Sequence, residues 1–197
     1  MKTLPIFITS NLDKVHHLNR LLAIDLSHIA LELEEIQSVD PERVVTHKAK
    51  QAYEAVKKPV LVDDVSMWFD SLNGLPGPMI KLFIQAQDGL ENLCRMADGL
   101  PSRRATAQAY FGIYDGEVMM TIHGEIRGEI AVHPRGSQGF ANGWDSIFCP
   151  DGYNGQTRAE LSQDDYDTVY SQIRPIQQLR TELINIDKMQ HKLYDSQ

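Results

Sequence analysis

The sequence contains few cysteines, no long apolar run and no excess of basic residues, and each shortage excludes a class of protein. Its two cysteines, Cys94 and Cys149, are too few for a disulfide framework or a zinc site and are typical of a reducing cytoplasm. No stretch approaches the roughly 20 consecutive apolar residues of a membrane-spanning helix. Nineteen basic residues stand against 27 acidic ones, a formal net charge of -8. This balance argues against broad binding to nucleic acid polymers or anionic membranes.

Several catalytic patterns are missing as well. The chain has no Walker-type glycine loop and no serine, histidine and aspartate order typical of a nucleophilic triad. Among its seven histidines only His16 and His17 are adjacent, and neighbours on a helix do not face one ligand, so we expect no histidine metal site. The composition, 42% hydrophobic and 23% charged, is that of a globular protein. We therefore predict a single domain over residues 1–197.

The pattern of apolar residues and turn signals predicts an α/β fold. The predicted strands are residues 5–9, 30–33 and 59–62, followed by a hairpin of 105–114 and 117–126 and a strand at 129–132. The predicted helices are residues 12–22, 41–56, 79–86 and 90–97, with a last helix that begins at Pro175. The Asp115-Gly116 pair marks the hairpin turn. The chain thus alternates strands and helices first, then forms antiparallel strands, and ends in a helix.

Three acidic residues follow two of the predicted strands. Asp63 and Asp64 come directly after strand 60–62, and Glu35 follows strand 30–33. Ligands bind at the carboxyl ends of strands in open α/β sheets, and Mg²⁺ prefers one or two carboxylates together with substrate phosphates. Neighbours on a strand point to opposite faces, so at most one of the two aspartates is expected to enter a site directly. The alternatives are a capped turn for the aspartates and a solvated surface position for Glu35.

Three lysines are candidates for binding phosphate. Lys14 lies at the start of the first helix, where free N–H groups attract anions. Lys48 shares a helix face with apolar residues, and Lys81 is the only charged residue between Leu72 and Gln87. A lysine on an apolar stripe usually extends to solvent, which is the alternative for each one taken alone. Convergence of all three on the acids would make a magnesium–polyphosphate site.

The segment that contains Phe140, Trp144 and Asp145 has the residues to bind a nucleobase. An aromatic side chain beside glycines, followed by an acid, stacks a base and contacts its edge. The alternative is that Trp144 only fills space against the sheet. The residues alone leave both interpretations open.

Five segments, in chain order, match the motifs of one known family. They are Thr9-Ser10-Asn11-Leu12-Asp13-Lys14, Leu33-Glu34-Glu35-Ile36-Gln37 with Lys48-Ala49, residues 60–64 with 72–81, Gly143-Trp144-Asp145-Ser146-Ile147-Phe148, and Thr157-Arg158-Ala159-Glu160-Leu161. The chain resembles the inosine triphosphate pyrophosphatase family, which cleaves noncanonical purine nucleoside triphosphates to monophosphate and pyrophosphate. The resemblance implies an elongated mixed β-sheet flanked by helices, two lobes with a central nucleotide cleft, and a homodimer.

The resemblance also implies a role for each candidate residue. Water attacks the α-phosphorus, with Asp64 or Asp63 as base, and Mg²⁺ is held by Glu35 and Asp64. At the phosphates, Thr9 and Asn11 are implied to position the groups, and Lys14, Lys48 and Lys81 to neutralise their charge. At the base, Phe140 and Trp144 are implied to stack on the ring, and Asp145 to contact its edge.

The chain departs from the family where the purine is held. Tyr166 replaces a lysine, and Tyr170-Ser171-Gln172 replaces Ser-His-Arg. Loss of these cationic donors predicts weaker discrimination of hypoxanthine and xanthine, with Tyr166 and Gln172 as neutral substitutes. Arg174 could take over only by a shift in register, which Pro175 restricts.

Three hypotheses follow for the function of the chain. The first is an active pyrophosphatase with altered base choice. The second is a nucleotide sensor of the same fold with weak or no turnover. The third is a protein that associates through its C-terminal helix.

Overall fold

The computed structural model describes residues 4–137, 139 and 143–194, and its side chains up to residue 186. Within these residues one sheet contains the strands β1 (Ile6–Ile8), β2 (His28–Ile29), β3 (Val60–Phe69), β4 (Pro76–Gly77), β5 (Arg104–Tyr114), β6 (Met119–Ile130) and β7 (Phe148–Pro150). The helices are α1 (Leu12–Leu22), α2 (Pro41–Val56), α3 (Ile80–Gln85), α4 (Gly89–Asp98), α5 (Gln163–Ile173) and α6 (Ile176–Tyr194). The predicted α/β class is confirmed.

The sheet is mixed, as predicted. Its order is β2-β1-β3-β5-β6-β7, and β4 pairs with β3 off this path. β1 runs parallel to β2 and β3, whereas all other pairs are antiparallel. The parallel end belongs to the alternating β/α part of the chain, and the antiparallel end is the long hairpin of β5 and β6. No helix in the described residues is both long enough and apolar enough to cross a bilayer.

β3 is longer than the sequence predicted. The prediction ended it at Val62, with Asp63 and Asp64 in a following turn, but β3 continues to Phe69. The reason is its partner β5, which pairs with β3 along the whole length of β3, whereas β1 pairs only with its first two residues, Val60 and Leu61. The two aspartates therefore lie inside a strand, just beyond the point where its parallel neighbour ends.

β2 was predicted two residues too late. The prediction placed this strand at residues 30–33, but it covers His28–Ile29, and residues 30–37 form neither helix nor strand. β2 pairs only with β1, which ends at Ile8 before the turn into α1. A strand cannot continue without a partner for its backbone groups, so the chain leaves the sheet and carries Glu35 past the end of β1.

Three elements were missed, namely β4, β7 and α5, and one predicted strand was wrong. The residues predicted as a separate strand at 129–132 begin within the end of β6, and the three residues of β7 were not predicted. α5 was missed although its signals are present: Ser162 caps it by accepting from the Asp165 N–H, and Tyr166, Val169, Tyr170 and Ile173 form a buried stripe. The spacing of that stripe is helical.

The alternation of β1 and β3 divides the core into two faces. Ile6, Ile8, Val60 and Val62 pack against α2 in the smaller apolar cluster. Phe7 and Leu61 belong to the larger cluster, which includes buried residues of α1, α4, α5 and α6. α6 contributes an apolar stripe to this cluster through Ile176, Leu179, Leu183 and Ile186. By the same alternation, Asp63 faces the α1 side and Asp64 faces the α2 side.

Candidate active site

A cleft of about 790 Å³ opens where β1 ends and β3 continues. Its wall includes the turn into α1, the irregular segment after β2, the middle of β3, the start of α3, and four residues from the C-terminal half of the chain, Trp144, Asp145, Arg158 and Arg174. The cleft therefore collects both groups of predicted site residues, the acids and lysines at one end and the candidate base-binding residues at the other. We call these the lysine end and the arginine end.

Asp63 anchors the α1 side of the lysine end. Its Oδ1 accepts from the Lys14 ammonium at 3.0 Å, and its Oδ2 accepts from Nη2 of Arg174 at 3.4 Å. The side chain of Asp63 is 3% exposed. Both carboxylate oxygens are thus already occupied by cations that come from different helices.

Asp64 anchors the α2 side of the same end. The Lys48 ammonium donates to Asp64 Oδ1 at 2.9 Å and lies 3.7 Å from Glu35 Oε1. Glu35 also accepts from Lys81 at 3.3 Å, at the rim of the cleft. The predicted convergence of the three lysines on the three acids is therefore present in the structure.

The local charges set the protonation of these groups. Burial raises the pKa of the Asp63 carboxyl, but Lys14 and Arg174 outweigh it and hold that pKa below its usual value. Burial dominates at Asp64, so the pKa of this carboxyl is raised despite Lys48. Burial also lowers the pKa of Lys14, where Arg174 and Lys48 add repulsion. At Lys48 burial is outweighed by Asp64 and its neighbours, and the pKa is raised.

The donor set at Glu35 and Asp64 fits a magnesium ion that also binds substrate phosphates. No group of three or more histidine, cysteine, aspartate or glutamate side chains in the described residues is arranged to hold a metal alone. Mg²⁺ commonly takes one or two carboxylates and completes its shell with phosphates and water. Oδ2 of Asp64 is buried and has no hydrogen-bond partner in the described part of the chain. Such an oxygen is costly unless a cation or donor reaches it.

Thr9 and Asn11 line the cleft and shape the start of α1. Oγ1 of Thr9 accepts from the Asn11 N–H at 3.2 Å, and Oδ1 of Asn11 accepts from the Lys14 N–H at 3.0 Å. Asn11 is thus the N-cap of α1. The cap fixes the first turn of the helix and with it the position of Lys14.

The arginine end is built around the buried pair of Asp145 and Arg158. Nη1 of Arg158 donates to Oδ1 of Asp145, and the Tyr166 hydroxyl lies 3.3 Å from Oδ2. The guanidinium lies over the rings of Tyr166, at 4.5 Å, and Trp144, at 5.1 Å. Trp144 also packs edge-on against Phe148, so it both fills space against the sheet and borders the cleft.

The sequence analysis missed Arg158. It occupies the variable position of Thr157-Arg158-Ala159-Glu160-Leu161, yet its side chain is only 2% exposed. A capping box between Thr157 and Glu160 fixes this turn, and the Ala159 N–H donates to the Asp145 carbonyl at 3.1 Å. The turn therefore holds Arg158 beside Asp145. The sequence offered one indication of this role, which is that a charged residue stands inside a segment that otherwise matches the family motif.

Arg174 also reaches the cleft, although Pro175 follows it directly. A residue before proline is driven out of the helical conformation, and Arg174 accordingly has φ -113° and ψ 105° as the C-cap of α5. That extended backbone directs the side chain inward, where it is 5% exposed and bound to Asp63. Proline here ends the helix and orients the arginine.

Gln172 and Tyr166, two of the predicted base-binding residues, do not line the cleft. Gln172 lies on the exposed side of α5 and does not line the cleft, because the buried stripe of that helix is occupied by Tyr166, Val169, Tyr170 and Ile173. The structure therefore does not bring Gln172 to the cleft. Phe140 lies outside the described residues. Tyr166 is buried behind Asp145 and Arg158 and contacts them rather than the open cleft.

The chain is similar to known proteins along nearly its whole length. A sequence model described as the Ham1 family matches residues 5–182. An inosine triphosphate pyrophosphatase of Yarrowia lipolytica is 36% identical over 180 residues, which cover 89% of this chain and 93% of that protein. Inosine triphosphate pyrophosphatase 2 of Trypanosoma cruzi is 39% identical over 141 residues, 71% of this chain and 70% of that protein.

The fold has solved counterparts. A HAM1 protein from Coxiella burnetii superimposes with a TM-score of 0.78 at 24% identity, and the match covers 93% of this chain and all of that one (100%). At this identity the likeness shows the shared fold, which is the mixed sheet flanked by helices predicted above. The sequence matches show that the chain belongs to the Ham1 family.

Proposed function

We propose that this protein hydrolyses a purine nucleoside triphosphate to the monophosphate and pyrophosphate, and so removes noncanonical nucleotides from the nucleotide pool. The names of its relatives, inosine triphosphate pyrophosphatases, support the reaction class. The observation that carries the proposal is the lysine end. There, four cations (Lys14, Lys48, Lys81 and Arg174) surround three carboxylates. One buried carboxylate oxygen, Oδ2 of Asp64, has no hydrogen-bond partner within the described part of the chain.

The cations account for binding of the triphosphate. Lys14 and Lys48 are mostly buried, with side chains 21% and 17% exposed, so phosphate oxygens that reach them are shielded from water. Lys81 is 59% exposed and contributes at the rim. Each ammonium group carries three donors, so it can keep its carboxylate partner while it donates to phosphate. These charges stabilise the pyrophosphate that leaves.

Asp64 is the better candidate for the base that activates water. Both oxygens of Asp63 already accept from cations, whereas Oδ2 of Asp64 has no hydrogen-bond partner among the described residues. The raised pKa of Asp64 suits a group that must accept a proton. Glu35 and Asp64 would hold Mg²⁺, which, when bound, neutralises phosphate charge and lowers the pKa of bound water.

The same geometry favours altered handling of the base. The residues that the family motif leads one to expect at 166 and 170–172 are absent, while Arg158 and Arg174 bring two guanidinium groups into the cleft. A site whose hydrogen-bonding groups are buried rejects a base with the wrong edge strongly. We therefore propose that the enzyme retains a preference among purines but sets it with different residues.

A pyrophosphate-release assay tests the proposal. The panel contains ITP, dITP, XTP, GTP, ATP, CTP and UTP, each with Mg²⁺ and with EDTA. We expect turnover of at least one purine triphosphate, loss of turnover with EDTA, and pyrophosphate rather than orthophosphate as product. Turnover of none of them, together with a rise in melting temperature on binding, would instead support the sensor hypothesis.

Two further proposals concern assembly, which rests on the family alone, and location, which rests on the cysteines. We propose that the protein is a homodimer, which light scattering on the purified chain tests directly. We also propose that it works in the cytoplasm, where both buried thiols, Cys94 and Cys149, would stay reduced. Imaging of a tagged full-length chain tests the location.

A further inference from the structure

Arg158 keeps one edge of its guanidinium group unused. Nη1 donates to Asp145, whereas Nε and Nη2 are buried and have no hydrogen-bond partner in the described part of the chain. Nε–H and the adjacent N–H of Nη2 lie side by side on the edge of a rigid plane, so they form two parallel donors. A buried donor that stays unpaired destabilises the protein, because it has lost its hydrogen bonds to water. Arg158 lines the cleft, so a bound ligand can satisfy them.

The surroundings of Arg158 hold that edge in place. The guanidinium packs over Tyr166 and Trp144, and its own backbone turn is closed by the capping box of Thr157 and Glu160. Because the burial of Tyr166 raises the pKa of its hydroxyl, this group stays protonated and serves as a donor near Asp145. The paired donors are thus fixed before any ligand arrives, which is the condition for a selective contact.

The charge of the site indicates what kind of ligand group the edge accepts. Arg158 and Asp145 form a buried ion pair without net charge, so the pair offers donors but no excess positive charge. The excess positive charge lies at the other end of the cleft, where four cations face three carboxylates. Phosphates are drawn to that end, and the arginine edge is left for an uncharged group with two adjacent acceptors.

Two adjacent acceptors of this kind occur on one edge of some purines. A 6-oxopurine presents its O6 and N7 side by side, and arginine pairs with them through two parallel hydrogen bonds; adenine instead presents an amino donor at position 6. We infer that Arg158 is a specificity-determining residue, whose Nε–H and Nη2–H donate to O6 and N7 of a 6-oxopurine in the cleft. This inference rests on the proposed function, because it assumes a nucleotide bound with its phosphates at the lysine end.

The test compares two substrates that differ at one acceptor. ITP has both O6 and N7, and 7-deaza-ITP lacks the N7 acceptor. For the wild type we expect kcat/KM to be about 10–100-fold lower with 7-deaza-ITP. Arg158→Lys keeps a cation beside Asp145 but lacks the paired donors, so it should lower kcat/KM for ITP by a similar factor and reduce the difference between the two substrates to less than about threefold.

Two controls separate reading of the base from general damage. Arg104→Met removes an arginine of the surface pair with Asp151 and should leave both substrates as in the wild type. The inhibition constant of inorganic tripolyphosphate, which has no base, should be unchanged in Arg158→Lys. A merely structural role of Arg158 would shift the melting temperature and the tripolyphosphate constant and leave the ratio between the two substrates at its wild-type value.

Each outcome bears on the inference. An equal kcat/KM of the wild type for ITP and 7-deaza-ITP overturns it, and that comparison needs no folded variant. An unchanged ratio in Arg158→Lys overturns it as well. If the wild type hydrolyses no triphosphate, the proposed function fails, and the same comparison is made with dissociation constants. A tighter constant for ITP than for 7-deaza-ITP, lost in Arg158→Lys, still supports the role of Arg158.

Discussion

The two ends of the cleft hold charge in different ways. At the lysine end, flexible ammonium groups share carboxylates, and Lys48 alone lies near both Glu35 and Asp64. At the arginine end, a planar guanidinium is fixed to one carboxylate and covered by two aromatic rings. The lysine end can adapt to polyanions of different geometry, because each ammonium group can exchange a carboxylate partner for a phosphate oxygen. The arginine end is rigid and neutral, which suits recognition of a defined edge.

The largest effect should come from Asp64, whose buried Oδ2 has no hydrogen-bond partner among the residues that the structure describes. Asp64→Asn removes the charge that we propose holds Mg²⁺ and the group that we propose as the base, so we expect kcat to fall by about 10³-fold. Asp70→Asn, at an exposed position just after β3, is the matched control and should keep wild-type kcat. Turnover unchanged in Asp64→Asn would show that the assigned mechanism is wrong even if the activity is real.

The second prediction is that the loss in kcat/KM on replacing each lysine increases with the burial of that lysine. Lys14→Met and Lys48→Met each remove charged hydrogen bonds from a shielded site, so kcat/KM should fall by about 10–100-fold. Lys81→Met should cost only a few-fold, since this side chain is mostly in solvent. Lys50→Met, on the exposed side of α2, is the control. An equal loss for all three would mean that exposure does not govern their contribution.

The third effect is a loss of stability in acid that begins near the arginine end. His17 packs against Tyr170 at 4.3 Å. Burial lowers the pKa of His17 from 6.5 to about 4; Asp167 opposes this, and Arg20, Arg174 and Arg158 add to it. Because the folded protein binds this proton less tightly than the unfolded chain, the stabilisation is complete above pH 6.5 and is lost as the pH falls toward 4.

Urea unfolding at several pH values measures that loss. The wild type should lose about 1–2 kcal/mol more than His17→Gln between pH 7 and pH 4.5. His16→Gln, at the exposed neighbouring position, should behave like the wild type. If the free energy of unfolding depends on pH in the same way in the wild type and in His17→Gln, His17 is not the cause of the acid destabilisation.

The smallest effect concerns the hydroxyl of Tyr166. Tyr166→Phe removes its 3.3 Å contact with Asp145 but keeps the ring that covers Arg158. We expect the ratio of kcat/KM for ITP over ATP to fall about two- to fivefold, with no change in tripolyphosphate inhibition. A larger change in tripolyphosphate inhibition than in the substrate ratio would indicate that the two ends are not independent.

The sequence predicted the lysine end well and the arginine end poorly, and the reason is physical. Asp63 and Asp64 follow an apolar run in β3, Glu35 follows β2, and Lys14 lies in the first turn of α1, so local pattern is enough to single them out. Arg158 and Arg174 depend on how a turn and a helix end pack against the sheet. That packing is long-range and cannot be deduced from the residues alone. The sequence therefore predicted a loss of cationic donors at residues 166 and 170–172, whereas the structure brings two guanidinium groups to the cleft.

The same contrast explains the errors in the fold. Helices were predicted within a few residues because caps and apolar spacing are local, as at Asn11 and Asp40. The ends of β2 and β3 were wrong because a strand stops where its partner stops. α5 was missed for a different reason: its apolar stripe includes two tyrosines among many polar residues, a pattern that is easily assigned to a surface loop.

The early end of β1 has a consequence for how this site tolerates insertions. Two consecutive residues of a strand normally serve opposite layers of a protein, yet Asp63 and Asp64 both border one cleft because the neighbouring strand stops short. One residue inserted before Val62 would exchange their sides and place each carboxylate opposite the other's cation. The number of residues between the start of β3 and the two aspartates therefore matters to the site as much as the aspartates themselves.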